Sequence, residues 1–439
     1  MLNFDELEKG FSEEEAIAEA ERCLDCKNAL CVQGCPIQNR IPEFIRAIRE
    51  HNYAEAIRLI NERSNLAVIC ARVCPHTDQC EGACVLSRKG AGIRISKLER
   101  FLADKEMELT LNRVKEKVAV IGSGPAGLTV AGILAKEGYR VTIFEARQIP
   151  GGVLRYGIPE YRLPKIMVDK QIENIRNLGV RIDTGVVIGE SLTVDQLFAM
   201  GYKALFIGTG TGLARKLGAP GEDLAGVMQA IYFLETVELV REKRLPEKDL
   251  PIQPGDRVVV VGAGNVAVDA ARTSLRIGAA SVLVLDIMAE NERRASDKEY
   301  FEALKEKIAF RFQTSIHAMV GESRVTGVML QGYHPRQVVD GESRFLPVAG
   351  SEERLPCEKV IVAIGQKPFA RIVATTTGIK TNEKGYVITE GAPFYGMTTR
   401  QGVFAAGDVV HEPQTVILAM REGRRVAEAI DTYLKSLHL

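Results

Sequence analysis

Neither sign of charge is in excess: Lys+Arg and Asp+Glu both total 57 across the 439 residues. No net field is on hand to attract nucleic acid or an anionic membrane surface. Long hydrophobic runs are missing too, so no membrane span is expected. The opening residues, Met1-Leu-Asn-Phe-Asp-Glu6, lack the basic-then-apolar start of a signal peptide. A cytoplasmic protein is expected. Cysteine is nearly absent from most of the chain. Beyond residue 84 only Cys357 occurs, and the other eight crowd between 23 and 84. Disulfides would be out of place in an intracellular chain, so the crowding points to metal or redox centres. β-patterning is absent from the first hundred or so residues. There Ser12-Glu-Glu-Glu15 reads as a capping box and 42–50 with 53–63 as a helix pair. The charged stretch 102–117 reads as a link between this helical module and the next.

The eight cysteines form two clusters, Cys23-x2-Cys26-x4-Cys31-x3-Cys35-Pro36 and Cys70-x3-Cys74-Pro75-x4-Cys80-x3-Cys84. Short spacings followed by proline resemble bacterial ferredoxin-type cluster binding, in which the last cysteine of a run ligates the other cluster. Two zinc sites of four thiolates each are the rival. Structural zinc usually takes paired Cys-x2-Cys knuckles, and only one spacing here is of that type.

From Val118 the pattern becomes βαβ. An apolar strand runs into Gly122-x-Gly124-Pro125-Ala126-Gly127, with a helix-like segment over 128–137 behind it. Gly122 permits the tight turn, Gly124 lets backbone approach a pyrophosphate, and Gly127 lets helix and strand pack closely. The helix start offers free N–H groups to phosphate. The strand 139–145 ends in Glu145, 23 residues after Gly122, the distance expected of a ribose-binding carboxylate. The loop 150–164, which contains Gly152 and Arg155, is suited to lie against a planar ring; its plainer reading is a long surface connection. A further strand at 204–207 ends in Gly208 beside the same crevice.

A second fingerprint, Gly262-x-Gly264-Asn265-Val266-Ala267, replaces the third glycine by alanine, which the pattern permits. Its second strand ends in Asp286, 24 residues after Gly262. Two complete fingerprints mean two dinucleotides. The second unit reads as an insertion into the first, since a strand at 359–364 ending in Gly365 resembles the one at 204. Beyond it, 402–408 reads as a final strand closing on Gly407 and Asp408, followed by a helix from Thr415 and Val416 to 434. Asp408 is suited to the ribityl or phosphate end of a flavin nucleotide, its plainer role being a turn cap.

Both cysteine motifs, the first fingerprint, the loop GGVLRYGIPEYRLP, GAGNVA and FAAGDV occur in order across essentially the whole chain. In this the protein resembles the glutamate synthase small-subunit family of iron–sulfur flavoproteins. That family includes the large subunit of NADH-dependent ferredoxin:NADP+ oxidoreductase and the N-terminal half of dihydropyrimidine dehydrogenase. The resemblance implies an α/β protein: a helical domain with two 4Fe-4S clusters over 1–114, then two Rossmann-like domains. The FAD domain would be split into 115–215 and 356–439, with an NAD(P)H domain over 216–355 between the halves. Carried over, Cys23, Cys26, Cys31 and Cys84 would ligate one cluster. Cys35, Cys74 and Cys80 would hold the other with Glu99, whereas counting thiols would make Cys70 the eighth ligand.

One departure concerns the nicotinamide. Many relatives end the second strand of that domain with Tyr-Arg-Arg, whose arginines pair with the 2′-phosphate of NADPH. This chain has Asp286-Ile-Met288, and a carboxylate there accepts from a free 2′-OH and repels a phosphate. NADH is the expectation, with Arg293 and Arg294 placed to reach back for NADPH. The implied activity is oxidation of NAD(P)H, with electrons passing through FAD and the clusters to a separate catalytic subunit or a ferredoxin-type protein. Alternatives are a ferredoxin-linked, bifurcating transhydrogenase and an NAD-dependent dihydropyrimidine dehydrogenase. A thioredoxin-reductase-like route would need a Cys-x-x-Cys in a nucleotide unit, and neither has one. A binding-only scaffold is the remaining rival.

Overall fold

A computed structural model describes residues 3–105, 115–339, 342–368, 371–413 and 415–437. The first domain boundary expected, at 114/115, and most of the charged link lie at or outside the edge of the described residues. The chain forms two compact units. The larger comprises Glu6–Arg155, Arg162–Leu213 and Lys367–Leu439; the smaller comprises Met1–Asp5, Tyr156–Tyr161 and Ala214–Gln366. Among the described residues no helix is long and apolar enough to cross a membrane.

The larger unit begins with short helices. Glu13–Glu21 starts at the expected capping box: the Ser12 hydroxyl accepts from the Glu15 N–H at 3.2 Å, and the Glu15 carboxylate accepts from the Ser12 N–H at 2.8 Å. Ile41–Arg49 buries Ile41, Phe44, Ile45 and Ile48, one face at helical spacing, and packs with Tyr53–Arg63. Ala67–Val73 and Ile95–Ala103 complete the group. The same unit holds a five-stranded parallel sheet in the order Val403–Ala405, Tyr202–Ile207, Lys117–Ile121, Arg140–Glu145, Arg181–Thr184. Its central strand is buried on both faces, which is why Val118 to Ile121 is apolar without alternation. The helix Pro125–Lys136 crosses the long C-terminal helix Val416–Ser436 at Gly423, where a side chain would come within 2.9 Å of the Ala126 carbonyl.

The smaller unit repeats the plan. Its parallel sheet runs Val227–Gln229, Lys359–Val362, Arg257–Val261, Ser281–Leu285, Ala309–Arg311. An antiparallel sheet of Thr314–Gly321, Val325–Gly332 and Glu353–Pro356 accompanies it. The boundary expected at 355/356 therefore falls too early. Lys359–Val362 pairs with Arg257–Val261 and Val227–Gln229 here, and the chain leaves this unit only after Gln366. The strand does correspond to Tyr202–Ile207 in position, but in the other sheet.

Candidate cofactor sites

The larger sheet presents its glycine turn at the end of its central strand. Gly122 has φ +98°, and a Cβ there would meet the Gly208 carbonyl at 2.6 Å; one at Gly127 would lie 2.0 Å from the Gly122 carbonyl. The fold demands both glycines. Gly124 is different: its φ is −72° and nothing lies within 4 Å of where its Cβ would stand. Ordinary backbone beneath open space needs no glycine for packing, and the bare position leaves room for a ligand to approach the backbone. It caps Pro125–Lys136, whose first N–H groups have no side-chain partner, a ready site for an anion.

Glu145 braces the turn. One carboxylate oxygen accepts from the Ser123 N–H at 2.9 Å and from the Ser123 hydroxyl; the other accepts from the Arg147 N–H at 2.9 Å. The Gly151 N–H in turn donates to Ser123 Oγ at 2.8 Å, and a Cβ at Gly152 would come within 2.9 Å of Gly124 Cα. The start of the glycine-proline loop is thus folded onto the turn and is not a surface connection. Arg155, in the short helix Val153–Tyr156, is buried and ion-paired with Asp169. Gly407 lies beside Ala126, Asp408 is half-buried in the turn Gly407–Val409, and Thr415 caps Val416–Ser436 with its Oγ1 buried and without a partner.

The turn of the smaller unit has the same construction. Gly262 has φ +107°, and a Cβ there would meet the Ala363 carbonyl at 2.6 Å. At Gly264, with φ −88°, only the Arg294 side chain comes within 4.0 Å. Asp286 accepts from the Ala263 N–H at 2.6 Å and the Met288 N–H at 2.8 Å. The Asn265 side chain accepts from the Ser296 N–H at 3.1 Å, and Val266 is 43% exposed. Arg293 is committed elsewhere: it pairs with Asp297 and lies 4.3 Å from the centre of the Tyr300 ring. Arg294 is exposed beside the turn. Gly365, at φ +103°, follows the displaced strand and accepts from the Arg215 N–H at 3.0 Å.

The helical part of the larger unit gathers the cysteines into two sets. One cavity is lined by Cys23, Cys26, Cys31 and Cys84 together with Leu24 and Leu86. Asp25 shapes its first loop with φ +51° and takes two hydrogen bonds of 2.8 Å from Arg46, which hold its carboxyl below the usual carboxylate range. Cys35, Cys74 and Cys80 form the other set around Glu99. Burial first, with the Glu99 carboxylate adding to it, pushes the Cys35 thiol up to about 11 and the Cys80 thiol higher still. Contact with Cys70, then burial, raises Cys74. Glu99 is buried on Ile95–Ala103, with the His76 ring nitrogen 4.0 Å from its carboxylate. Burying a carboxylate away from a firm partner is costly, which fits a ligand better than a structural acid.

Residues 1–111 match the family described as dihydropyrimidine dehydrogenase domain II, 4Fe-4S cluster, and residues 116–423 match pyridine nucleotide-disulphide oxidoreductase. Glutamate synthase (NADPH) small chain of Halomonas elongata is 35% identical over 98% of this chain and 93% of its own length. This chain belongs to the glutamate synthase small-subunit family of iron–sulfur flavoproteins. Also similar is the NAD-dependent dihydropyrimidine dehydrogenase subunit PreT of Escherichia coli, 33% identical over 98% of this chain and 97% of its own. Among solved structures, Mycobacterium tuberculosis FprA in complex with NADPH has the same fold over 74% of this chain and 86% of that one, with TM-score 0.62 and 21% identity.

A member of this family is an NAD(P)H-dependent FAD and iron–sulfur oxidoreductase, and the thiols here suit that chemistry. Among the described residues no three Cys, His, Asp or Glu side chains converge as a single metal ion would need. Sequence reasoning missed Ser123, which ties Glu145 to Gly151, and Arg46, and it assigned no role to His76. Ser123 occupies a variable place in the fingerprint, and no spacing marks the other two.

Proposed function

We propose that this protein oxidises NAD(P)H at the turn of the smaller unit, holds FAD on the turn of the larger unit, and carries two 4Fe-4S clusters among its helices. Electrons then leave to a separate catalytic subunit or a ferredoxin-type protein. The supporting observation is the pair of bare positions Gly124 and Gly264, each an ordinary backbone at an uncapped helix start with space above it. Bound there, FAD supplies the ability to trade electron pairs with a nicotinamide and single electrons with a cluster. The protein's residues bind and orient. The N–H groups of Pro125–Lys136 and of Asn265–Arg276 face phosphate, while Glu145 and Asp286 lock each turn. The Thr415 hydroxyl, unpartnered among the described residues, and the start of Val416–Ser436 offer donors to the flavin ring; the loop with Gly152 and Arg155 lies against it, Gly208 lies beside the phosphate crevice, and Gly407 and Asp408 suit the ribityl or phosphate end.

Cys23, Cys26, Cys31 and Cys84 would hold one cluster, and Cys35, Cys74, Cys80 and Glu99 the other. Glu99→Ala should alter the EPR signal of one cluster and leave the other intact. Unaltered signals would remove Glu99 from the set. The cofactor is NADH in this proposal, since Asp286 faces the 2′ position and Arg293 is engaged with Asp297; a higher kcat/KM for NADPH would reverse that choice. Anaerobic bleaching of the flavin by NADH or NADPH, followed by growth of cluster EPR signals, tests the whole reading. A sample that binds nucleotide without bleaching would be a scaffold instead. The full-length likeness to PreT favours a second reading, in which the partner reduces a pyrimidine; assaying the holoprotein with candidate partner subunits separates the two.

A further inference from the structure

Cys70 is the clustered thiol that this ligand set leaves over. It is 2% exposed on the helix Ala67–Val73, four residues before Cys74, so the two side chains share a face. Its Sγ lies 3.5 Å from Met420 Sδ and 3.8 Å from Ser64 Oγ, and both of those side chains are also buried. Ser64 Oγ is itself fixed, accepting from the Leu66 N–H at 3.2 Å. Met420 stands just over one turn into Val416–Ser436, the helix whose first turn faces the flavin in the proposed function. Two residues 350 apart in sequence thus make a dry sulfur–sulfur contact between the segment that carries Cys74 and the flavin helix. Packing accounts for a buried methionine or cysteine singly, since both are good gap-fillers. It does not require polarisable sulfur on both sides of one contact, nor a serine hydroxyl anchored within reach of it.

We infer that Cys70 and Met420 couple the second cluster to the flavin. Cys70 acts as a positioning residue: held by Ser64, it sets the surroundings of Cys74 and, with Met420, fills the gap toward the flavin helix with sulfur. Outer-shell partners of this sort tune the potential of a cluster and orient its ligands. The step concerned is a one-electron transfer. No bond forms or breaks; the flavin is oxidised by one electron and the cluster is reduced by one. The inference rests on the proposed function, and in particular on Glu99 rather than Cys70 as the fourth ligand.

The test uses the holoprotein with Cys70→Ser and, separately, Met420→Leu, which keeps the volume and removes the sulfur. Both variants should retain full iron and sulfide content, show both cluster signals after dithionite reduction, and lose flavin colour with NADH as fast as the parent. Freeze-quench EPR after mixing with NADH should then show the signal of the second cluster growing about 10-fold more slowly, the lower end for a lost outer-shell contact. In Cys70→Ser the flavin–cluster equilibrium should also move about tenfold, or about 59 mV for a one-electron couple. Iron loss in Cys70→Ser would make Cys70 a ligand and overturn the inference. Full iron with unchanged rates and potential in both variants would reduce the contact to packing. A parent protein whose flavin fails to bleach sinks the proposed function itself, which is a different result.

Discussion

The two glycine turns are built alike and finished differently. In each, an acid at the end of the second strand takes the N–H that follows the first glycine and another two residues beyond itself: Ser123 and Arg147 for Glu145, Ala263 and Met288 for Asp286. The first turn is then tied further. Ser123 adds a hydroxyl to the acid, Gly151 bonds back to Ser123, and Gly152 lies against Gly124. The second lacks these ties; Val266 is exposed, and the Arg294 side chain stands beside Gly264. More ties make the first turn the stiffer of the two, while the space at Gly124 is left as clear as that at Gly264. The contrast suits a resident flavin in one turn and a visiting nicotinamide in the other, as proposed.

The sharpest way to break the comparison is to exchange the third position of the two fingerprints. In Gly127→Ala the new Cβ would stand 2.0 Å from backbone that has no room to yield. A loss of about 3 kcal/mol, the upper end for overpacking, is expected, with flavin released. Ala267→Gly should cost only about 1 kcal/mol, the usual helix penalty. Chemical denaturation and flavin content measure both, and equal losses would mean that the turns do not differ in closeness.

A smaller effect is expected from Ser123→Ala, which makes the first turn resemble the second. It strands the Gly151 N–H and removes one donor to Glu145, a loss of about 1–2 kcal/mol with weaker flavin retention. Stability equal to the parent would show that the extra hydroxyl closes nothing. Smallest in energy is Asp286→Asn, which removes the charge proposed to face the 2′ position. The ratio of kcat/KM for NADPH over NADH should rise about tenfold, equivalent to about 1.4 kcal/mol. An unchanged ratio would move the choice of cofactor to Arg294.

Much of this is legible in the sequence because the signals are local. Gly122 and Gly262 carry the positive φ of the turn itself, and Gly127 lies against the Gly122 carbonyl five residues back, so their spacing identifies the turn. The capping box at Ser12 and the helix start at Thr415 are local in the same sense. Strand pairing resists such reading. An apolar strand ending in glycine fits either sheet. The pattern of Lys359–Val362 suggests the larger one, yet its hydrogen bonds with Arg257–Val261 put it in the smaller.

By itself, then, the sequence determined that two nucleotide turns and two cysteine sets exist, since turn geometry and thiol chemistry are properties of short segments. Only tertiary structure decided where the smaller unit ends, since strand neighbours are chosen by hydrogen bonds across long loops. The same holds for the company each group keeps. Glu99 stands close enough to raise the Cys35 and Cys80 thiols, and Cys70 meets Met420, because tertiary packing brings together distant side chains that no spacing along the chain encodes.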